Sequence, residues 1–147
     1  MKPEDPYDLN RFLSAQEGVY ERALAELKGG EKRTHWMWFI FPQIDGLGFS
    51  PMSKRYAIKS LDEARRYLQH PVLGARLLEC VQALLEVRGR SAAEIFGYPD
   101  DLKLRSCLTL FVQVAQPGSV FEQALEKYYR GQPDEQTLSI LDLSSDK

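Results

Sequence analysis

The sequence predicts a mainly α-helical, compact single domain of about seven helices around a central aromatic segment. Three Ser-x-x-Glu strings, which begin at Ser60, Ser91 and Ser119, have the form of capping boxes. In such a box the serine hydroxyl accepts a backbone N–H at the start of a helix, and the carboxylate reaches back. Apolar residues also recur at helical spacing over residues 12–27 and 72–87. Both observations favour helices.

The aromatic segment, residues 33–43, holds both tryptophans of the chain and four aromatic side chains within six residues. These rings can together bury several hundred Å², at roughly 150–250 Å² each. The segment also carries polar groups, namely His35, Gln43 and the two indole N–H groups, which need hydrogen-bond partners if they are buried. The segment is therefore predicted to form either the core or the wall of a pocket.

The chain has the length of one ordinary domain, with 147 residues, and the domain is predicted over residues 7–141. Residues 1–6 and 142–147 are predicted to be loose termini. No apolar run approaches the roughly 18 residues of a transmembrane helix, and the N-terminus has no apolar segment of a secretion signal. These features predict a cytoplasmic protein with no membrane partner.

Both cysteines, Cys80 and Cys107, lie in periodic apolar segments and are predicted to be free, buried thiols. No CxxC or HxxxH spacing is present, so neither a metal site nor a cofactor is predicted. Residues 28–76 carry nine basic against four acidic side chains. This imbalance indicates a solvated face or a basic rim around an anionic ligand, and it is too thinly spread to favour nucleic acid. The sequence predicts no particular oligomeric state.

The first half of the chain begins with a helix predicted over residues 8–28, with Asp8 as its cap. Helical turns are predicted from His35, and Pro42 ends them because proline cannot continue a helix. Residues 44–50 form a loop whose glycines let the backbone turn tightly beside the aromatic rings. Its G-x-G string lacks both a preceding strand and the third glycine of a dinucleotide-binding motif.

Cap and breaker residues predict the later helices, which cover residues 50–56, 60–70, 72–87, 91–97, a stretch starting at Ser119, and 134–141. Residues 104–115 are ambiguous. Leu108, Leu110 and Val112 alternate as in a strand, whereas Leu104, Leu108 and Phe111 form a helical stripe. A single strand without a partner would leave its backbone groups unpaired, so a helix is preferred over one short strand.

Seven polar or aromatic side chains within apolar segments are candidates for ligand binding: His35, Trp36, Trp38, Gln43, Asp101, Lys103 and Ser106. Each also has a structural explanation, because tryptophans pack in cores and acidic residues stabilise helix starts. The two tryptophans lie about 200° apart on a helix, so only one can anchor the core. The apolar neighbours of Trp38 predict that it is the anchor.

A shared site requires that the turn at residues 100–103 packs against the aromatic segment. His35 would then gain Asp101 as a carboxylate partner, and it could act as an acid or base near neutral pH. Lys103 would pair with an anionic group of a ligand whose flat portion lies on an indole ring. No GxSxG, HExxH, P-loop or cysteine–histidine pattern is present, so whether the protein is an enzyme is left open.

Several strings in the chain resemble a bacterial family of unknown function whose members are often labelled calpastatin. They include His35-Trp36-Met37-Trp38-Phe39-Ile40-Phe41-Pro42-Gln43, Gly46-Leu47-Gly48, His70-Pro71-Val72-Leu73-Gly74, Asp100-Asp101-Leu102-Lys103 and Thr109-Leu110-Phe111. The resemblance covers residues 7–141 and implies a cytosolic, mainly helical domain without an assigned activity. In this family Ser106 is commonly followed by another serine, whereas this chain has Cys107.

The calpastatin label conflicts with the composition, because a calpain inhibitor of that kind is a long, disordered repeat chain. The sequence instead predicts a domain that binds a small polar, nucleotide-like, anionic metabolite in a pocket lined by Trp36, Trp38 and His35. One alternative is a hydrolase in which His35 or Asp101 acts as the acid or base. A further alternative is a protein-interaction domain without a small-molecule site.

Overall fold

The structure, a computed structural model, describes residues 5–142, which form ten helices. They are α1 (Asn10–Gln16), α2 (Tyr20–Lys28), α3 (Met37–Ile40), α4 (Pro51–Arg55), α5 (Leu61–Gln69), α6 (Leu73–Glu86), α7 (Ala92–Phe96), α8 (Asp100–Val112), α9 (Val120–Tyr129) and α10 (Glu135–Ile140). Helices α2, α5 and α9 pack on α6, and α5, α7, α9 and α10 pack on α8. The predicted mainly helical, compact single domain is confirmed.

The described residues contain no strand, and their only β-type pairing is a single parallel bridge between Ile44 and Ile58. The segment that was ambiguous in sequence forms helix α8. Its residues 106–111 are all buried, so apolar side chains occur on every side of the helix and imitate a strand-like alternation. The bridge is important for the site because it holds the chain on either side of the loop that follows Gln43.

Serine caps begin the helices as predicted. Ser60, Ser91 and Ser119 each accept a hydrogen bond from the backbone N–H three residues later. The reciprocal bond of a capping box forms only at Ser91, where Glu94 accepts from the Ser91 N–H. Glu63 instead accepts from the N–H of Lys59, one residue further back. The hydrogen bond to the serine hydroxyl is therefore confirmed for all three predicted boxes, and the reciprocal hydrogen bond to the glutamate is confirmed only for the box at Ser91.

The predicted first helix is wrong as a single element, because it is divided into α1 and α2 at Gly18, which has a φ of 73°. The cap is also different. Asp5, not Asp8, accepts hydrogen bonds from the backbone N–H groups of Leu9 at 2.7 Å and Asn10 at 2.9 Å. Residues 5–142 form ten helices against a predicted count of about seven, and this division accounts for one of the additional helices.

Of the predicted loose termini, residues 1–4 and 143–147 lie outside the described residues. Both cysteines are free and buried, as predicted. Burial raises the pKa of the Cys80 thiol to about 12, and it also raises the pKa of Cys107, so neither thiol ionises near neutral pH. No helix within residues 5–142 combines the length and apolar character needed to cross a membrane.

The centre of the aromatic segment is buried, and the two tryptophans differ in environment, as predicted. The assignment of the core anchor is wrong, however, because Trp36 is fully buried and Trp38 is partly exposed. The physical reason is a hydrogen bond from Trp36 Nε1 to the carboxylate of Glu26 at 2.8 Å. This partner lets the indole N–H leave water without losing a hydrogen bond.

Glu26 holds the start of the aromatic segment through four hydrogen bonds. Its carboxylate also accepts from the backbone N–H groups of Arg33 and Thr34 and from the Thr34 hydroxyl. Partial burial alone would raise the pKa of Glu26, but the hydrogen bonds from Arg33, Thr34 and Trp36 outweigh it and lower the pKa to about 2. The ionised carboxylate therefore stabilises the folded protein.

We expect Glu26→Gln to lower the free energy of unfolding by about 1–2 kcal/mol at neutral pH, because the amide loses charge-assisted hydrogen bonds. The folded-state pKa lies below the ordinary value of 4.5, so this contribution is complete above that value and is lost as the pH falls through about 2. Urea denaturation at several pH values should show wild type and variant converging near pH 2. A constant difference across this range would contradict the assignment.

Candidate functional site

A cleft of about 360 Å³ lies between helix α4, the start of helix α8 and the loop after the aromatic segment. This volume is at the lower end of the roughly 300–1,000 Å³ of small-molecule sites. The cleft is lined by Trp38 of α3, by Gln43, Ile44 and residues 46–50 of the following loop, and by Pro99, Leu102, Lys103, Arg105 and Ser106 of the α8 region. Asp134 and Gln136 line it further along. We call it the α4–α8 cleft.

Four of the seven predicted side chains line the α4–α8 cleft: Trp38, Gln43, Lys103 and Ser106. The other three do not. Trp36 is buried in the core, and the His35 side chain, which precedes helix α3, is exposed to solvent. Asp101 lies beside the cleft on α8 but is turned inward. The structure therefore brings together predicted side chains from two segments that are far apart in sequence, the aromatic segment and α8, and it leaves out His35 and Asp101.

The predicted packing of the 100–103 turn against the aromatic segment is present, but Lys32 and Trp38 mediate it. The Asp100 carboxylate pairs with Lys32 Nζ at 2.9 Å and with Lys103 Nζ at 3.3 Å. The Lys103 ammonium also lies 4.3 Å from the centroid of the Trp38 ring, which is a cation–π distance. Lys103 is thus fixed at the cleft wall with about a quarter of its side chain exposed.

Asp101 occupies a different environment from the one predicted. Its Oδ1 atom is buried and has no hydrogen-bond partner among the described residues. Its backbone carbonyl accepts a hydrogen bond from the Tyr129 hydroxyl. Burial first, and then the charge of Asp101, raise the pKa of Tyr129, so this phenol stays protonated and can donate. The contact joins α8 to α9 and does not face the cleft.

Two polar groups of the cleft wall are available to a ligand. No hydrogen bond within residues 5–142 occupies the side-chain amide of Gln43, which is partly exposed and offers both donors and an acceptor. Arg105 also lines the cleft; its Nε atom donates to the Gln132 carbonyl at 3.0 Å, and its guanidinium carbon lies 5.8 Å from the centroid of the Tyr129 ring. With Lys103, it gives the cleft wall two cationic groups.

The cleft residues that the sequence analysis did not select include Phe49, Arg105 and Asp134. Asp134 was recognised only as a helix cap, and it does cap α10 by accepting from the Thr137 N–H at 3.0 Å. The same carboxylate accepts from the Ser106 hydroxyl at 3.2 Å and so extends into the cleft. Nothing in the local sequence distinguishes a cap that only caps from one that also lines a cleft.

Fold and site together define a small helical domain with a solvent-facing, cation-bearing cleft. Among the described residues, no group of three or more His, Cys, Asp or Glu side chains is arranged to hold a metal ion. The chain belongs to the family described as "Protein of unknown function (DUF1810)", which matches residues 6–141.

A solved structure supports the same fold. The chain is similar to the conserved hypothetical protein Rv1873 from Mycobacterium tuberculosis, with 51% sequence identity and a TM-score of 0.92. The similarity covers 95% of this chain and 100% of that one. No curated protein matches the chain. The comparisons therefore establish the family and the fold.

Proposed function

We propose that the protein binds a small anionic, nucleotide-like metabolite in the α4–α8 cleft. The observation that carries the proposal is the convergence of Trp38, Gln43, Lys103 and Ser106 on one cavity, although they come from segments far apart in sequence. A cavity that combines apolar walls with a few convergent polar groups is the usual form of a small-molecule site. The cytoplasmic location and the absence of a membrane partner stay predictions from the sequence.

The anionic character of the ligand follows from the charges of the wall. Lys103 and Arg105 line the cleft, and Asp134 is the acidic side chain that lines it with them. Asp134 is already engaged by Ser106 and by the N–H and hydroxyl of Thr137. Lys103 shares the Asp100 carboxylate with Lys32, so three cations, Lys32, Lys103 and Arg105, lie at or beside the wall against two carboxylates, Asp100 and Asp134. This excess favours an anionic group at the wall, and a planar guanidinium suits a phosphate or carboxylate.

Binding explains the cleft better than hydrolysis does. The two residues predicted as the acid or base, His35 and Asp101, do not line the cleft, and the carboxylate that does, Asp134, already accepts hydrogen bonds from Ser106 and Thr137. Gln43 and Lys103 are instead suited to hold a ligand through hydrogen bonds and charge. We therefore propose that the protein is a binding module and not a hydrolase.

Lys103→Met tests the proposal. The substitution removes the ammonium group but keeps the apolar stem, and Asp100 retains Lys32 as its partner at 2.9 Å, so the fold should be preserved. A metabolite retained through purification should be identified by mass spectrometry, and its affinity measured by calorimetry. We expect affinity to fall by about tenfold or more, because a charge-assisted contact is lost.

Lys28→Met is the matched control, because Lys28 is exposed at the end of α2 and lies outside the cleft. It should bind like wild type. Wild-type affinity in Lys103→Met would contradict the proposal. So would a wild-type protein that retains no metabolite and gains no thermal stability with any member of a panel of nucleotides and sugar phosphates.

A further inference from the structure

Phe49 is the aromatic residue of the cleft that the fold itself does not use. Its side chain is 86% exposed, which is the highest value among the exposed large apolar residues of the described chain. It nevertheless lines the α4–α8 cleft. A single exposed apolar residue is common on a protein surface and requires no explanation. Phe49 differs from such residues because its phenyl ring forms part of a cation-bearing cleft that contains other aromatic rings.

Three aromatic side chains line the cleft, and two of them already have partners. The Lys103 ammonium lies 4.3 Å from the Trp38 ring centroid. The Tyr56 ring packs edge-on against Phe39, with centroids 4.9 Å apart, and the Arg55 guanidinium lies 5.5 Å from it. Within residues 5–142, by contrast, no ring or cation lies against Phe49. Phe49 is therefore the cleft aromatic with its ring available to a ligand.

The backbone keeps Phe49 at this position. The loop turns at Gly46, where φ is 109°, a conformation that side-chain-bearing residues rarely adopt. At Gly48 a Cβ atom would lie 2.7 Å from the Ser53 hydroxyl oxygen, so the loop approaches α4 more closely than another residue would allow. The loop thus packs on α4 through Gly48 and leaves the phenyl ring of Phe49 exposed.

We propose that Phe49 stacks on a planar heteroaromatic ring of the ligand while Lys103 binds the anionic group of the same molecule. This inference rests on the proposed function and narrows the ligand to a nucleotide, as opposed to a sugar phosphate or an aliphatic acid. An indole ring was the predicted platform, but Trp36 is fully buried and the Lys103 ammonium occupies the face of Trp38. A nucleobase suits an open position because its edges stay hydrated while one face covers the phenyl ring.

The experiment compares two probes, AMP and ribose 5-phosphate, which share the anionic group and differ by the base. Their affinities are measured by calorimetry for wild type, Phe49→Ala and Phe49→Trp. Because Phe49 is exposed, these substitutions should leave stability unchanged. We expect Phe49→Ala to bind AMP about tenfold more weakly, as expected for loss of base stacking, and Phe49→Trp to restore binding. Ribose 5-phosphate should bind all three proteins equally.

Leu78→Ala is the matched control, because Leu78 is also exposed and apolar but lies on α6 outside the cleft. Equal affinity of wild type for both probes, or equal affinity of wild type and Phe49→Ala for AMP, would overturn the inference and leave the cleft as an anion site. Failure of both probes to bind wild type would overturn the proposed function as well. The two failures are therefore distinguishable.

Discussion

Gly74→Ala is expected to lower the free energy of unfolding by more than about 3 kcal/mol, because overpacking against a rigid backbone cannot be relieved by a rotamer change. Gly74 is the second residue of α6 and is buried where this helix meets the end of α5. A Cβ atom there would lie 2.0 Å from the Leu68 carbonyl oxygen and 3.3 Å from that of Tyr67. The two helices would have to separate, which would disturb the core around Tyr67.

Urea denaturation would measure the loss, and Gly29→Ala provides a matched control. Gly29 has a φ of −78°, and a Cβ atom there would meet its nearest neighbours at 3.5 and 3.6 Å, which are ordinary contacts. The control should be within about 1 kcal/mol of wild type or slightly more stable, since alanine restricts the unfolded chain. A Gly74→Ala protein as stable as the control would show that α5 and α6 are not packed this closely.

Helix starts could be predicted from the sequence because a cap is a local signal. Ser50, Ser60, Ser91 and Ser119 each accept from the N–H three residues later, and Asp134 does the same. The residue that supplies the oxygen and the residue that donates are neighbours whatever the rest of the chain does. Such signals placed most helices of the second half of the chain.

The break between α1 and α2 could not be predicted in this way. The apolar pattern of residues 12–27 continues through Gly18, and a glycine inside a helix costs only about 1 kcal/mol. Distant contacts decide the outcome. Gln16 is buried, and its side-chain amide donates to the Phe39 carbonyl at 2.7 Å and to the Tyr67 hydroxyl at 3.3 Å. Ending α1 at Gln16 places this amide among its partners.

The residues of the site, like the helices, could be predicted from the sequence only in part. Helix geometry predicted that Trp36 and Trp38 differ, but which one is buried depends on Glu26, ten residues earlier, which accepts the Trp36 N–H. Side chains that are polar or aromatic within apolar segments pointed to the cleft. Phe49 and Asp134 gave no such signal, because Phe49 lies in a glycine-rich loop and Asp134 has a complete local explanation as a helix cap.

Glu63→Met is expected to lower the free energy of unfolding by about 3–5 kcal/mol, because it leaves the Arg11 guanidinium buried without its counter-charge. Arg11 Nη2 lies 2.7 Å from Glu63 Oε2, and the two side chains are 7% and 1% exposed. The Arg11 guanidinium also donates to the Arg55 carbonyl at 2.7 Å and to that of Ala57 at 2.8 Å. These bonds fix the chain on both sides of Tyr56, which lines the cleft.

A double-mutant cycle separates the contribution of the ion pair to the free energy of unfolding from the effect of changing the size of the two side chains. Arg11→Met alone should be about as destabilising as Glu63→Met, whereas the double variant should lose at least about 1 kcal/mol less than the sum, since it leaves no unpaired charge. Asp62→Asn is the control on the same helix. Its pair with Arg65 is 2.8 Å long but exposed on both sides, so the loss should be below about 1 kcal/mol. Additive losses in the cycle would show that Arg11 acts through its carbonyl bonds alone, and the cleft wall would then depend on Arg11 but not on Glu63.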